Sequence, residues 1–233
     1  MRDSGDIALV DVGWSAETCA EPARAIGRLH AAVLRVRTRA SDAIVEQLAA
    51  LGIERSRVRT VVATHLHLDH VGGLVDFPDA EVVLTRREHD AFRAKLGTGY
   101  RAKDLERTGR LREVELDAGP TYGFPASADV FGDGEVLLLD ARGHTAGGVA
   151  VVLRAPATTY VHAGDAVYEK WEYSLGRRRG PSLVARFTAW NRPEMVKTYA
   201  CLRACEGDAR RPVVVPSHDA AAFDGVPHVP AHP

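Results

Sequence analysis

Short apolar runs alternate along the chain with polar, glycine-bearing breaks, and the spacing within each run assigns an element. Ile7-Ala8-Leu9-Val10-Asp11 reads as a short buried strand, closed by Gly13. Ala43, Ile44, Leu48, Ala49 and Leu51 recur at helical spacing; Ser41 stands where it would cap that helix, which ends near Gly52. Val58 to Thr64 is β-branched and apolar and predicts a strand, as does Glu81 to Thr85. Arg86 to Leu96 predicts a helix, and Gly97 to Gly109 a mobile, charged connection. Leu111 to Leu116 is a further strand, and the turn Gly132-Asp133-Gly134 leads into another from Glu135 to Leu139. Gly148 to Leu153 and Thr159 to His162 pair as a hairpin around Ala155-Pro156-Ala157. Tyr168 to Arg192 mixes arginine and aromatics and receives no assignment. Pro193 to Cys205 is a helix with Pro193 in its first turn, and Val213 to Val215 is a last buried strand before Pro216-Ser217-His218-Asp219. The tail after Asp224 is expected to fray.

Strands alternating with helices, and strands that end in polar clusters, imply a layered α/β domain. No internal repeat and no linker divides the pattern, so residues 1–233 read as one domain. Composition changes this picture little. Of the 233 residues 45% are apolar, enough to build a core. The net charge of -1 and pI near 6.8 give no electrostatic reason to expect nucleic acid or an anionic membrane as partner. No apolar run reaches membrane-spanning length, and Met1-Arg2-Asp3-Ser4-Gly5-Asp6 lacks the apolar core of a signal peptide. Cys19, Cys201 and Cys205 include no CxxC pair and do not form a disulfide framework, so a reduced, cytoplasmic protein is expected.

The chemistry concentrates in Thr64-His65-Leu66-His67-Leu68-Asp69-His70. Residues two apart in an extended segment point the same way, so His65 and His67 face one point. Asp69 and His70 follow in a turn, where Gly72-Gly73 is expected to let the backbone bend sharply toward a second point. A single histidine at a strand end is commonly just hydrogen-bonded to backbone. Four polar groups buried together without a metal would cost about 1–3 kcal/mol for each one left unpaired, so the cluster points to divalent metal. Three isolated motifs follow later strands: Gly143-His144-Thr145, Gly164-Asp165-Ala166 and Ser217-His218-Asp219. Each alone is a common cap or turn; together they are where strand ends gather at one sheet edge.

In this order the residues resemble the metallo-β-lactamase superfamily, whose pattern is HxHxDH, then His, Asp and His. The resemblance runs from Ala8-Leu9-Val10-Asp11-Val12-Gly13 to His218. It implies a four-layer αββα sandwich with its N-terminal strands truncated, since the first recognisable strand opens at Ile7. It further implies that His65, His67 and His144 hold one metal, that Asp69, His70 and His218 hold a second, and that Asp165 bridges them. An all-N/O ligand set suits two zinc ions and also admits iron, manganese or cobalt. True β-lactamases lack the bridging aspartate, and glyoxalase II-like thioesterases add a C-terminal region for which fifteen residues after His218 leave no room.

Gly164-Asp165-Ala166-Val167-Tyr168 most resembles the quorum-quenching N-acyl-homoserine lactonases, in which a tyrosine stands three residues after the bridging aspartate. That resemblance implies a hydrolase using a bridging hydroxide to open a small-molecule lactone. Tyr168 would stand at the substrate carbonyl, Asp165 between the metals, and Asp69 as proton donor to the leaving oxygen. Family members are often dimers, so a homodimer is compatible. A thioesterase, a mononuclear iron persulfide dioxygenase and a non-catalytic metal-binding protein are the competing readings. His30, His89 and His162 have no partner motif and read as structural or surface residues; His228 and His232 lie in the tail. Arg177, Arg178 and Arg179 read by default as a solvated loop, with the pocket rim as the alternative given their position after Tyr168, while Trp171, Tyr173, Phe187 and Trp190 divide between acyl-pocket lining and core packing.

Overall fold

The computed structural model describes residues 5–97, 99, 100, 105, 110–174, 180–224 and 226. It divides into two compact units: Met1–Val83 with Gly99–Arg112 and His228–Pro233, and Leu84–Thr98 with Glu113–Pro227.

The first unit is built on a four-stranded sheet in the order β1-β2-β3-β4, with β1 at Ile7–Val10, β2 at Val58–Val62, β3 at Glu81–Thr85 and β4 at Arg110–Val114. β1 pairs in parallel with β2, and β2 in parallel with β3. A parallel sheet covered on its faces needs apolar side chains on both. Val61, Val62, Val82 and Val83 are accordingly all at or below 1% exposure. Among the described residues no strand precedes β1, which forms the edge. The crossover from β1 to β2 contains three short helices, α1 (Ala16–Ala20), α2 (Pro22–Ala25) and α3 (Arg28–Val33), then α4 (Ile44–Ala50). Ser15 caps α1 by accepting the Thr18 N–H at 3.1 Å. Ser41 does not cap α4. It lies inside a 3-10 turn at Ala40–Asp42, and α4 starts after Ala43 with no side-chain cap. The polar residue that works there is Asp42, whose carboxylate accepts the Arg39 N–H at 2.8 Å. After β2 the chain forms α5 (Leu68–Val71).

The second unit opens with α6 (Arg86–Arg93) and carries a five-stranded sheet. Its order is β5 (Ser127–Asp129), β6 (Val136–Asp140), β7 (Val149–Arg154), β8 (Thr159–Gly164), β9 (Val213–Pro216). β5 to β8 form an antiparallel meander, and β9 returns parallel to β8. A parallel return requires a crossover. Here it holds α7 (Trp171–Ser174), α8 (Leu183–Thr188) and α9 (Arg192–Glu206). Met195, Thr198, Tyr199, Leu202 and Cys205 fall on one face of α9 and are buried. Asn191 accepts the Glu194 N–H at 3.2 Å and starts that helix. Leu139, Ala150, Val152, Val161 and Val214 from four strands meet Tyr173, Met195 and Leu202 in the unit's core. Tyr173 is therefore a core residue, whereas Phe187 and Trp190 are 81% and 40% exposed. The expected connection from Gly97 to Gly109 lies, apart from Gly97, Gly99, Tyr100 and Leu105, outside the described residues, as do Arg177, Arg178, Arg179, His228 and His232. No described helix is long and apolar enough to cross a membrane.

Candidate metal centre

In the first unit, the segment from Thr64 to His70 leaves the end of β2 and gathers three imidazoles. The His65 ring lies 4.6 Å from that of His67 and 4.1 Å from that of His70, centroid to centroid. Leu66, between the two forward-pointing histidines, turns the other way and is 1% exposed. Asp69 is half-buried in the first turn of α5.

One carboxylate holds this cluster. Asp11, just after β1 with φ of 52°, accepts the Thr64 N–H at 2.8 Å and the Thr64 hydroxyl at 2.8 Å. Its Oδ2 also lies 2.7 Å from His70 Nδ1. A carboxylate can only accept, so the proton of His70 sits on Nδ1 and its lone pair on Nε2. The hydroxyl of Thr64 has one proton, and Asp11 takes it. Thr64 Oγ1 therefore accepts from His65 Nδ1, 3.0 Å away, and His65 too presents a bare Nε2. A single aspartate thus sets the tautomers of two histidines. Both present the atom a metal needs.

Gly72 and Gly73 do not turn the chain through the left-handed region; Gly72 has φ of −59° and neither has positive φ. Their role is close packing. A Cβ on Gly73 would lie 2.4 Å from the Val12 carbonyl oxygen, and the Gly73 N–H donates to Gly13 O at 2.8 Å. Sequence reading also missed the pair that flanks His67. Gly99, at φ of 99°, sits so near that a Cβ would be 2.8 Å from the imidazole Cδ2, and the Tyr100 ring is 5.1 Å from that of His67.

In the second unit, His144, Asp165 and His218 come together from three strand ends. Parallel pairing of β8 and β9 sets Asp165 and His218 beside each other, and the Ser217 N–H donates to Gly164 O. His144 Nε2 lies 3.4 Å from Asp165 Oδ2, and His218 Nε2 lies 3.1 Å from Asp165 Oδ1. Two imidazole Nε2 atoms and both oxygens of one carboxylate face each other, an arrangement that a cation, or protons on the Nε2 atoms, makes favourable. The donor set fits divalent metal. Tyr168 stands over it, its ring 5.8 Å from that of His144 and 5.0 Å from that of His218.

The loop carrying His144 is clamped on every side. Asn191 and Trp190 donate backbone N–H groups to Gly143 O and His144 O, each at 2.9 Å. The Thr198 hydroxyl donates to Arg142 O at 2.6 Å. Thr85 donates its hydroxyl to Gly147 O at 2.7 Å, and buried Glu88 accepts the Gly147 N–H at 3.1 Å. A Cβ at Gly147 would fall 2.1 Å from Glu88 N. His89, next along α6, is a structural residue: its Nδ1 contacts Glu113 Oε1 at 2.6 Å, and this holds the Glu113 carboxyl below its ordinary range.

Residues 1–194 match the Metallo-beta-lactamase superfamily. The chain belongs to that superfamily. A probable metallo-hydrolase of Mycobacterium tuberculosis is 32% identical over 200 residues, covering 81% of this chain and 63% of the relative. The N-acyl homoserine lactonase AttM of Azorhizobium caulinodans is 36% identical over 122 residues, 51% of this chain and 44% of the relative. The chain thus spans less than two thirds of the length of these curated relatives. Among solved structures, a quorum-quenching N-acyl homoserine lactone lactonase superposes with a TM-score of 0.72 over 98% of this chain and 80% of its own, at 18% identity. An N-acyl homoserine lactone hydrolase, holding N-hexanoyl-L-homoserine at its catalytic metal centre, superposes with a TM-score of 0.68 over 92% and 77%, also at 18% identity. These likenesses bear out the expected metallo-β-lactamase fold, with its two sheets and mixed α/β content. In this superfamily member the histidine and aspartate motifs of the sequence form two clusters, one in each unit.

Proposed function

We propose that the chain is a metal-dependent hydrolase that opens a lactone ring, with an N-acyl homoserine lactone as substrate. The observation that carries the reading is the Asp165 carboxylate, with one oxygen toward each of two histidine Nε2 atoms, and Tyr168 set edge-on to the His144 ring and tilted against that of His218. The names of the AttM relatives support the substrate class. His65, His67 and His144 would hold one zinc ion, and Asp69, His70 and His218 a second, with Asp165 shared between them. Bound divalent metal supplies Lewis acidity and a water of lowered pKa.

The chain's own residues do the rest. Asp11 and Thr64 keep His70 and His65 in the tautomer with a bare Nε2. The Tyr168 hydroxyl donates a hydrogen bond to the carbonyl oxygen as negative charge builds there. Asp69 takes the proton that the attacking water gives up and delivers it to the ring oxygen as the acyl C–O bond breaks, so one lactone and one water become one N-acyl-homoserine. The Tyr168 ring packs beside His144, which is buried, and beside His218, which stays open to solvent.

The test is turnover of lactones, thioesters and β-lactams with metal content measured on the same sample. Lactone opening with two metal ions per chain is the expected result. A protein that leaves lactones closed while cleaving thioesters overturns the substrate, and one that takes up no metal overturns the reaction class.

A further inference from the structure

We propose that Thr188, at the end of α8, is a positioning residue for Tyr168 that switches its hydroxyl between acting as acceptor and acting as donor. The inference rests on the role proposed for Tyr168. The distances are specific. Thr188 Oγ1 lies 3.0 Å from Tyr168 Oη, 3.0 Å from the Val184 carbonyl oxygen and 3.5 Å from that of Ala185. A threonine hydroxyl has one proton and two lone pairs. The two carbonyls can only accept, and a threonine in a helix commonly donates back to the carbonyl four residues before it. The Thr188 proton therefore lies on Val184 O, and the Tyr168 hydroxyl donates to Thr188 Oγ1. In this arrangement the phenol proton is parked on Thr188.

For Tyr168 to donate toward a substrate oxygen, its proton must leave that bond. Rotation of the Thr188 hydroxyl about Cβ–Oγ1 then turns Thr188 from acceptor into donor, with its proton on Tyr168 Oη. The hydrogen bond survives with its polarity reversed, and no proton changes owner. The helix tolerates the swap because Ala185 O keeps the Ala189 N–H at 3.0 Å and Val184 O returns to its ordinary helical role. A phenol that accepts a hydrogen bond is a stronger donor through its own proton, because chained hydrogen bonds polarise one another. Thr188 thus holds the ring against His144 and His218 in both states and supports donation in the second. The side chain is half-buried at a helix end, so its replacement leaves the core intact.

The experiment compares Thr188→Val, Thr188→Ser, Tyr168→Phe and the double variant Thr188→Val with Tyr168→Phe. Removing one hydrogen bond of this kind predicts kcat about 10-fold lower in Thr188→Val with KM changed less than about 2-fold. Thr188→Ser keeps the hydroxyl and restores kcat to within about 3-fold. In the Tyr168→Phe background the valine has no further effect. An equal loss in that background, or serine no better than valine, overturns the proposal. A second readout needs no turnover. With tyrosines labelled at 13Cζ, the resonance that vanishes in Tyr168→Phe shifts in Thr188→Val and stays in place in Thr188→Ser. If it does not move in Thr188→Val, the proposal fails. If no lactone is opened but the resonance behaves as stated, the substrate reading fails and the Thr188–Tyr168 pairing stands.

Discussion

Asp11→Asn tests the most economical feature of the site. The aspartate carboxylate receives three donors: the Thr64 N–H, the Thr64 hydroxyl and His70 Nδ1. Asparagine has the same shape but one accepting oxygen and one donating nitrogen. Placed with its oxygen toward Thr64 Oγ1 and His70, it sets an amide N–H against the Thr64 N–H. Flipped, it confronts two donors instead of one. In the better orientation one buried donor loses its acceptor and two charge-assisted bonds become neutral, so stability falls by about 2–4 kcal/mol. The consequence for metal is separate. In the better orientation the amide oxygen still accepts from His70 Nδ1, but a neutral acceptor holds the ring less firmly and makes its Nε2 less basic than the carboxylate does. Partners that orient metal-binding histidines are worth about 10–100-fold in metal affinity, or roughly 1.4–2.7 kcal/mol. Urea denaturation of the metal-free protein measures the first quantity, and competition for zinc against a chromogenic chelator measures the second. If the variant binds zinc within about 2-fold of the parent, the carboxylate of Asp11 does not strengthen His70 as a ligand, and the reasoning is wrong.

Three further outcomes follow from the geometry. Gly147→Ala places a Cβ 2.1 Å from a backbone nitrogen of α6 that cannot step aside, and the expected loss in denaturation is about 3 kcal/mol or more. Glu113 is held below its ordinary value of 4.5 first by the hydrogen bond with His89, so its contribution is complete above pH 4.5 and disappears as pH falls through the lower folded value. Urea midpoints recorded between about pH 3 and 6 should therefore show a smaller acid loss in Glu113→Gln than in the parent. The Cys205 thiol, fully buried on α9, is pushed up to about 12 by desolvation, so alkylation of the native protein near pH 8 followed by mass spectrometry should leave it unmodified while the unfolded chain reacts at all three cysteines.

What the sequence displays is what depends on neighbours in the chain. β3 and the β7–β8 hairpin are continuous apolar runs with clear punctuation, and they match their expected places to within a residue or two. α9 starts where Pro193 and Asn191 require. β5, Ser127–Asp129, is too short and too polar to carry a pattern, and it exists because β6 offers it an edge. α1 to α3 are short, with little apolar periodicity to reveal them. Ser41 misled because a serine before an apolar run is a cap only if the helix begins there, and a 3-10 turn intervenes. The histidines and Asp165 were legible from residue type and spacing. Asp11 as their organiser was not, since its partners lie 53 and 59 residues away. Gly72-Gly73 reads in the sequence as a sharp bend, and Gly73 is a contact point in the fold, a difference that only the approach of a distant carbonyl creates.

The sharing of one carboxylate among Thr64 and His70 also constrains how this chain can vary. A substitution at position 11 or 70, or one at 64 that removes the hydroxyl, takes away a hydrogen bond that the others make. The three positions are therefore expected to be coupled, so that a change at one alters what is tolerated at the other two. A library that randomises one of them at a time is expected to tolerate fewer residues at each position than one that randomises the triplet together.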